Sequence, residues 1–120
     1  MPSVLLVDDE PDMLFVWRFI LRNAGYDVRC AANGRIALNL LLEKVADVVV
    51  SDWMMPVMNG EELCRQLRSD PRFCTVPVLI FTAMSPLPPD RTGHFWDEWL
   101  VKPATREVFL DAVAQLCKSR

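Results

Sequence analysis

Short apolar runs alternate along the chain with segments in which apolar residues recur every three or four positions. The runs are rich in valine, leucine and isoleucine, as is typical of strands covered on both faces of a sheet. They lie at 4–7, 26–31, 46–51, 76–81 and 99–101. The recurring pattern predicts helices at 12–24, after 33–34, at 61–69 and after 105. Strands that alternate with helices imply a doubly wound, parallel α/β sheet.

The segment between the fourth and fifth predicted strands breaks the helical pattern. Residues 85–93 contain three prolines and a glycine. Because proline costs about 3 kcal/mol inside a helix, we predict a helix of one or two turns at most, or an irregular loop. The milder alternative is a short helix that begins at Pro89.

Polar residues stand at the ends of four of the predicted strands. Asp8 and Asp9 follow the first strand, Asp52 the third, Thr82 the fourth and Lys102 the fifth. In open parallel sheets the ligand site lies outside the carboxyl ends of the strands. Since almost all crossover connections are right-handed, we expect these five side chains to converge on one edge of the sheet.

Each residue type at this edge suits phosphoryl chemistry. Carboxylates that lie close together repel one another unless a cation joins them, and oxygen ligands suit Mg²⁺. Lys102 supplies a point charge for a phosphoryl oxygen, and Thr82 supplies a hydroxyl donor. The set predicts phosphoryl transfer to a carboxylate nucleophile. The alternative is that the acids cap helices and the lysine is solvated, but five such residues at four strand ends argue against it.

Composition and charge narrow the classes of protein further. The 120 residues predict a single domain, 1–120, and the net charge of −3 argues against nucleic acid as a direct partner. Charged residues interrupt every apolar run, so no membrane span is expected. The N-terminus has no signal-peptide pattern, which predicts a cytoplasmic location. We expect the cysteines to be small buried residues in a reducing compartment: Cys30, Cys64, Cys74 and Cys117.

The ordered set of motifs resembles the receiver domain of two-component response regulators, the CheY-like superfamily. The resemblance rests on Asp8-Asp9, the loop 52–60 with sequence DWMMPVMNG, Thr82-Ala83 and Lys102-Pro103. It covers essentially the whole chain. It implies a flavodoxin-like, five-stranded parallel sheet of order 2-1-3-4-5, with helices on both faces and the fourth helix short or irregular.

The resemblance also implies roles for the acidic residues. Asp52 would be the phosphoacceptor, taking its phosphoryl group from a phosphohistidine on a sensor histidine kinase or a phosphotransfer protein. Asp9 and Asp52 would hold Mg²⁺ (or Mn²⁺) directly, together with the backbone carbonyl of Met54. Asp8 would act mainly through a bound water.

The remaining motif residues would detect the phosphoryl group. Lys102 would pair with it, Thr82 would move to hydrogen-bond it, and Pro103 would follow Lys102 through a cis peptide bond. Trp99 stands where the family usually has a tyrosine or phenylalanine that rotates as a switch. Because indole is larger and lacks a hydroxyl, either its inward rotation behind Thr82 is hindered or Trp99 stays permanently half buried.

Two phenylalanines stand on the polar side of the first predicted helix. At about 100° per residue, Phe15 and Phe19 fall opposite the core face, one turn apart and adjacent. Such a pair suggests a contact surface for a kinase, a phosphotransfer domain or a second copy of the chain. The alternative is that each ring lies down against neighbouring side chains.

These observations predict a signalling receiver that is phosphorylated on Asp52 and changes conformation to control an output domain or a partner. Such a protein is not an enzyme, because it catalyses only its own phosphorylation and dephosphorylation. Two alternatives remain open. One is an interaction module that works without phosphorylation. The other is a phosphatase with an aspartyl nucleophile, although such enzymes commonly need a second acid where this chain has Met54.

Overall fold

The described parts of the chain contain nine helices and strands. A computed structural model describes residues 1–86 and 95–118. Its elements are β1 (Ser3–Val7), α1 (Pro11–Asn23), β2 (Asp27–Ala31), α2 (Gly34–Glu43), β3 (Val48–Ser51), α3 (Gly60–Ser69), β4 (Val78–Thr82), β5 (Glu98–Val101) and α4 (Arg106–Lys118). The five strands lie where the apolar runs predict them. The predicted short helix or irregular loop at 85–93 falls largely on residues 87–94, which lie outside the described residues.

All strand pairs in the sheet are parallel, in the order β2-β1-β3-β4-β5. This is the predicted flavodoxin-like order, and it turns every strand's carboxyl end to the same edge. The strand order reverses between β1 and β3, which are neighbours with Val7 opposite Ser51. A ligand site is expected at this reversal. Asp8 and Asp52 are the residues that follow these two strands.

Helices cover both faces of the sheet, as predicted. Successive strand residues point to opposite faces, so Leu5 and Val7 pack with α2 and α3, whereas Val4 and Leu6 pack with α1 and α4. Every residue of β1 and β4 is buried. The burial of both faces explains why these strands are continuously apolar instead of alternating with polar residues.

Side-chain oxygens fix the first turn of three helices. Asn33 accepts a hydrogen bond from the Ile36 N–H at the start of α2, and Asn59 accepts one from the Glu62 N–H at the start of α3. Thr105 accepts one from the Val108 N–H of α4 at 3.2 Å. These bonds satisfy N–H groups that the helix itself leaves unpaired. The Asn59 cap matters most for the site, because it fixes α3 directly behind the loop that follows β3.

Arg68 on α3 holds the segment that leads into β5. Its guanidinium donates to the carbonyls of Phe95 and Val76 at 2.9 and 2.8 Å, and to the Asp97 carboxylate at 2.8 Å. Asp97 in turn accepts from the Val78 N–H at the start of β4. A half-buried, charge-assisted cluster of this kind orients the strand that follows it. β5 therefore enters the sheet in a fixed position and delivers Lys102 to the edge.

The cysteines follow the prediction only in part. Cys64 is buried on α3, and desolvation raises the pKa of its thiol to about 12, so it behaves as an apolar residue. Cys74 is exposed, contrary to expectation, because it lies in the turn between α3 and β4. None of the four cysteines forms a disulfide bond.

Candidate functional site

The carboxylate of Asp52 is fixed by the end of β3. The Asp52 N–H donates to the Val7 carbonyl at 2.9 Å, which continues the strand pairing by one residue. The Trp53 N–H donates to Asp52 Oδ1 at 2.7 Å. The residue is only 9% exposed. The Trp53 bond occupies one carboxylate oxygen and leaves Oδ2 to face the other charged groups at the sheet edge.

The start of α3 packs closely against the backbone of Asp52 and Trp53 and so helps to fix this carboxylate. The Gly60 N–H donates to the Trp53 carbonyl at 2.9 Å. A Cβ atom at Gly60 would lie 2.5 Å from the Asp52 carbonyl oxygen and 2.9 Å from Trp53 Cα. In the intervening loop Val57 has φ +69°, a conformation that strains a β-branched residue. The loop accepts this strain while it folds tightly around the end of β3.

Three carboxylates meet at the reversal point of the sheet. Oxygens of Asp8, Glu10 and Asp52 all lie within 4.8 Å of one another. Asp8 is 5% exposed, and its Oδ1 accepts from the Glu10 N–H at 3.0 Å. This local turn brings residue 10 back toward the strand end. Sequence reasoning did not select Glu10, although its position two residues after Asp8 is the spacing of such a turn.

Asp9 is placed differently from its two acidic neighbours. It is exposed and does not belong to the group of carboxylates that meet at the edge. The turn closed by the Glu10 N–H directs residues 8 and 10 to the sheet edge and leaves residue 9 between them at the surface. Asp9 is outside this group of three, and its part in holding a cation stays a prediction.

Lys102 is the cation that faces the acidic group. Its Nζ lies 2.9 Å from Asp8 Oδ2 and 3.8 Å from Asp52 Oδ2. The Lys102 N–H donates to the Thr82 carbonyl at 2.7 Å, and the peptide bond to Pro103 is cis. Three ionised carboxylates and one lysine carry more negative than positive charge, so the group has a negative formal charge that a divalent cation would offset.

Thr82 and Trp99 lie on the adjoining strands. Thr82 ends β4 and is 1% exposed. Trp99 on β5 is half buried, and its indole N–H donates to the Met84 carbonyl at 3.0 Å. Its ring contacts those of Trp53 and Trp96, with centroids 5.1 and 5.2 Å away. In this structure Trp99 is half buried, which is the position given by the second of the two alternatives in the sequence analysis.

Exposed apolar side chains occur on α1 and in the loops that follow β3 and β4. Phe15 and Phe19 are 64% and 63% exposed, so neither ring lies down on the surface. At the rim of the site, Met54, Val57 and Met84 are also exposed. α1 begins at Pro11, directly after the acidic group. Both phenylalanines lie within the first nine residues of α1, Phe15 at its fifth position and Phe19 one turn further along.

The family model for the response regulator receiver domain matches residues 4–114. The chain belongs to this family. The general function of response regulator receivers is phosphorylation-dependent signalling in two-component systems, in which they interact with sensor histidine kinases.

Relatives of this receiver occur in different molecular settings. It is 33% identical to the DNA-binding dual master transcriptional regulator RpaA of Synechocystis sp., over 98% of this chain and 50% of that protein. The chain thus spans about half the length of this curated relative. It also resembles the solved signal receiver domain of a signal transduction histidine kinase from Syntrophus aciditrophicus, with 32% identity, a TM-score of 0.89 and coverage of 99% and 92% of the two chains.

A third relative bears on the cation. Response regulator TrrA from Thermotoga maritima was solved in complex with Mg²⁺-BeF; it is 28% identical, with a TM-score of 0.87 and coverage of 97% and 99% of the two chains. In the described part of this receiver, three converging carboxylates lie beside Lys102. Such an all-oxygen, net-negative set fits a hard divalent cation.

Proposed function

We propose that this receiver accepts a phosphoryl group on Asp52 from a phosphohistidine donor in a Mg²⁺-dependent reaction. The observation that carries the proposal is the position of Lys102 Nζ, which faces both Asp8 and Asp52 beside converging carboxylates. A nucleophile, a cation that can pair with phosphoryl oxygens and a divalent-cation site are the parts that phosphoryl transfer requires.

Asp52 Oδ2 is the oxygen that attacks phosphorus. Oδ1 is held by the Trp53 N–H, which leaves Oδ2 free to form the new O–P bond. The P–N bond of the donor breaks, and its electron pair stays on the imidazole nitrogen, which takes up a proton from solvent. Lys102 Nζ passes from Asp8 to a phosphoryl oxygen and neutralises the charge gathered there.

Mg²⁺ (or Mn²⁺), when bound, shields the negative phosphoryl oxygens from the carboxylates. Asp8 and Asp52 are positioned to hold it, and family resemblance adds Asp9 and the Met54 carbonyl as candidate ligands. Thr82 is buried at the end of β4, the strand beside β3, and is the proposed hydroxyl donor to the phosphoryl group.

Incubation with acetyl phosphate and Mg²⁺ tests the proposal. Intact-mass spectrometry is expected to show an adduct of one phosphoryl group that Asp52→Asn abolishes. Asp111→Asn, at an exposed position on α4, is the matched control and should be modified like the wild type. Absence of any adduct would favour an interaction module that works without phosphorylation. Continuous release of phosphate without an adduct would favour the phosphatase.

The same samples test a conformational switch through Thr82 and Trp99. A shift of Thr82 toward the phosphoryl group moves the chain segment that reaches Met84, whose carbonyl is bonded to the Trp99 indole. Tryptophan emission should therefore change with adduct formation, and Trp99→Phe should remove most of that change. An unchanged response in Trp99→Phe would exclude Trp99 from the switch.

We further propose that the phosphohistidine partner docks on Phe15 and Phe19. A donor histidine reaches Asp52 only if its protein covers the loop that follows β3, where Met54 and Val57 are exposed, and α1 begins close to the other end of the same site, directly after Glu10. Exposed aromatic rings are frequent anchors of such interfaces. A second copy of the chain is the alternative occupant of this surface.

Charging this surface separates docking from chemistry. The double variant Phe15→Glu, Phe19→Glu should slow phosphotransfer from the partner kinase or phosphotransfer protein roughly a hundredfold, since each lost anchor costs about 1–2 kcal/mol. Phosphorylation by acetyl phosphate should be unchanged, because the site chemistry is intact. Rapid-quench kinetics with each donor measures both.

Val108→Glu charges an exposed apolar residue on α4 and should leave both reactions unchanged. Wild-type transfer in the double phenylalanine variant would reject the docking proposal. A loss of dimers in sedimentation, with transfer unaffected, would assign the surface to a second copy.

The net charge and the thiols of this domain bear on its partners and on its cellular compartment. With a net charge of −3, the domain itself is a poor ligand for nucleic acid, so we assign any DNA binding to a separate output domain or partner. Four cysteines outside any disulfide bond, among them the exposed Cys74, suit a reducing compartment such as the cytoplasm. Within the described residues, no helix has the length and apolar character that crossing a membrane requires.

A further inference from the structure

Ser51 places a fully buried hydroxyl at the end of an otherwise apolar strand. β3 has the sequence VVVS, and Ser51 is 0% exposed. Because side chains alternate along a strand, Ser51 lies on the same face as Val49, which packs in the core beneath α2 and α3. A valine would suit such a position, whereas a hydroxyl there must be hydrogen-bonded to avoid a cost of desolvation.

The hydroxyl of Ser51 is bonded to the proposed phosphoacceptor residue. Its Oγ donates to the Asp52 carbonyl oxygen at 2.8 Å. This carbonyl belongs to the peptide unit that joins Asp52 to Trp53, and the N–H of the same unit donates to Asp52 Oδ1 at 2.7 Å. Because a peptide unit is planar, a bond that fixes its carbonyl also fixes the direction of its N–H.

The two bonds therefore act on opposite sides of one rigid unit. The N–H of Asp52 itself is held separately, by the Val7 carbonyl at 2.9 Å. The peptide plane between Asp52 and Trp53 can still rotate about the bonds that flank it, and the Ser51 hydroxyl opposes that rotation. While the Trp53 N–H points at Oδ1, Oδ2 faces Lys102 Nζ at 3.8 Å.

We infer that Ser51 is a positioning residue for the phosphorylation of Asp52. Its hydroxyl orients the Asp52–Trp53 peptide unit, which holds Oδ1 and presents Oδ2 to the phosphoryl donor. The inference rests on the proposed function, since it names a residue that prepares the attacking carboxylate. Ser51 is buried and acts only through Asp52 and Trp53. A carboxylate that is oriented before the donor arrives loses less freedom when it reacts.

Threonine and valine at position 51 test the inference as a pair, because both are β-branched and they differ in the hydroxyl. Ser51→Thr should form the acetyl phosphate adduct at close to the wild-type rate. Ser51→Val should form it roughly tenfold more slowly, as expected when a reacting group loses its orientation. Ser51→Ala, which adds no volume to the buried site, should show the same loss.

Ser3→Val is the matched control for these variants. It replaces another buried serine, at the start of β1 and thus at the opposite edge of the sheet. It should form the adduct at the wild-type rate. Equal slowing in Ser51→Thr and Ser51→Val would overturn the inference, because the cause would then be the added volume and not the lost hydroxyl.

The amide proton of Trp53 gives a readout that does not depend on the reaction. A short hydrogen bond to a carboxylate oxygen moves an amide proton resonance downfield in NMR spectra. We expect this resonance to move upfield in Ser51→Val and Ser51→Ala and to keep its position in Ser51→Thr. A serine that contributed only to stability would change the urea midpoint of unfolding without moving the Trp53 resonance, and that result would also overturn the inference.

Failure of this inference is distinguishable from failure of the proposed function. If the wild type forms the adduct but Ser51→Thr and Ser51→Val react at equal rates, only the role of Ser51 is lost. If the wild type forms no adduct, the proposed function fails, and the Trp53 resonance still decides whether Ser51 orients the peptide unit.

Discussion

Gly60→Ala is expected to lower the free energy of unfolding by about 3 kcal/mol. The new Cβ would lie 2.5 Å from the Asp52 carbonyl oxygen and 2.9 Å from Trp53 Cα. Both are backbone atoms at the end of a buried strand, so neither can yield as a flexible side chain would. The clash is removed only if α3 moves away from β3. This movement lengthens the 2.9 Å hydrogen bond from the Gly60 N–H to the Trp53 carbonyl. Urea unfolding followed by circular dichroism measures the loss.

The same movement of α3 should also slow the phosphorylation of Asp52. Trp53 donates its N–H to Asp52 Oδ1, so a shift of its backbone turns the phosphoacceptor carboxylate. We therefore expect Gly60→Ala to form the phosphoryl adduct slowly even where it is folded. Gly25→Ala is the control: it has a positive φ of +98° but nothing within 4 Å of its added Cβ, and it should cost only about 1 kcal/mol. Equal losses in the two variants would show that crowding at Gly60 is unimportant.

Lys102→Met should slow adduct formation with acetyl phosphate by roughly 10²–10³-fold, the usual loss when a charge-stabilising donor is removed. Lys102 Nζ is the positive group that faces both Asp8 and Asp52, and methionine keeps the length of the side chain without its charge. Mn²⁺ should bind more tightly to this variant, because a competing positive charge has left the acidic group. Rapid-quench kinetics and calorimetry measure the two effects.

The opposite signs of these two effects identify the role of Lys102. A lysine that only maintained the fold would, on removal, weaken metal binding and slow the reaction together. Arg106→Met removes an exposed positive charge from the start of α4 and should change neither measurement. Adduct formation at the wild-type rate in Lys102→Met would contradict the proposed mechanism.

Periodicity along the chain was sufficient to predict a doubly wound parallel sheet, whereas the order of its strands was predicted from the family resemblance. A continuously apolar strand such as β1 can be satisfied only between two helical layers, and parallel strands turn their carboxyl ends to one edge. These two rules place Asp52 and Lys102 at the same site, although 49 intervening residues separate them in the chain. The same periodicity placed Phe15 and Phe19 at the exposed surface of α1.

Element ends were predicted less well than element centres. The third strand begins at Val48, two residues after the predicted start, and the fourth begins at Val78 after Pro77. Proline has no N–H for the sheet, so pairing starts behind it. Such limits depend on hydrogen bonds to neighbouring strands, which a run of apolar residues does not specify.

The sequence by itself determined the parallel sheet, the burial of both its faces and the residues at the strand ends. These features follow from local spacing and backbone geometry. Only the tertiary structure decided that Glu10, and not Asp9, joins Asp8 and Asp52. It also decided that Trp99 is bonded to the Met84 carbonyl. These contacts depend on which rotamer each side chain adopts and how closely distant segments approach, and both are fixed only when the core is packed.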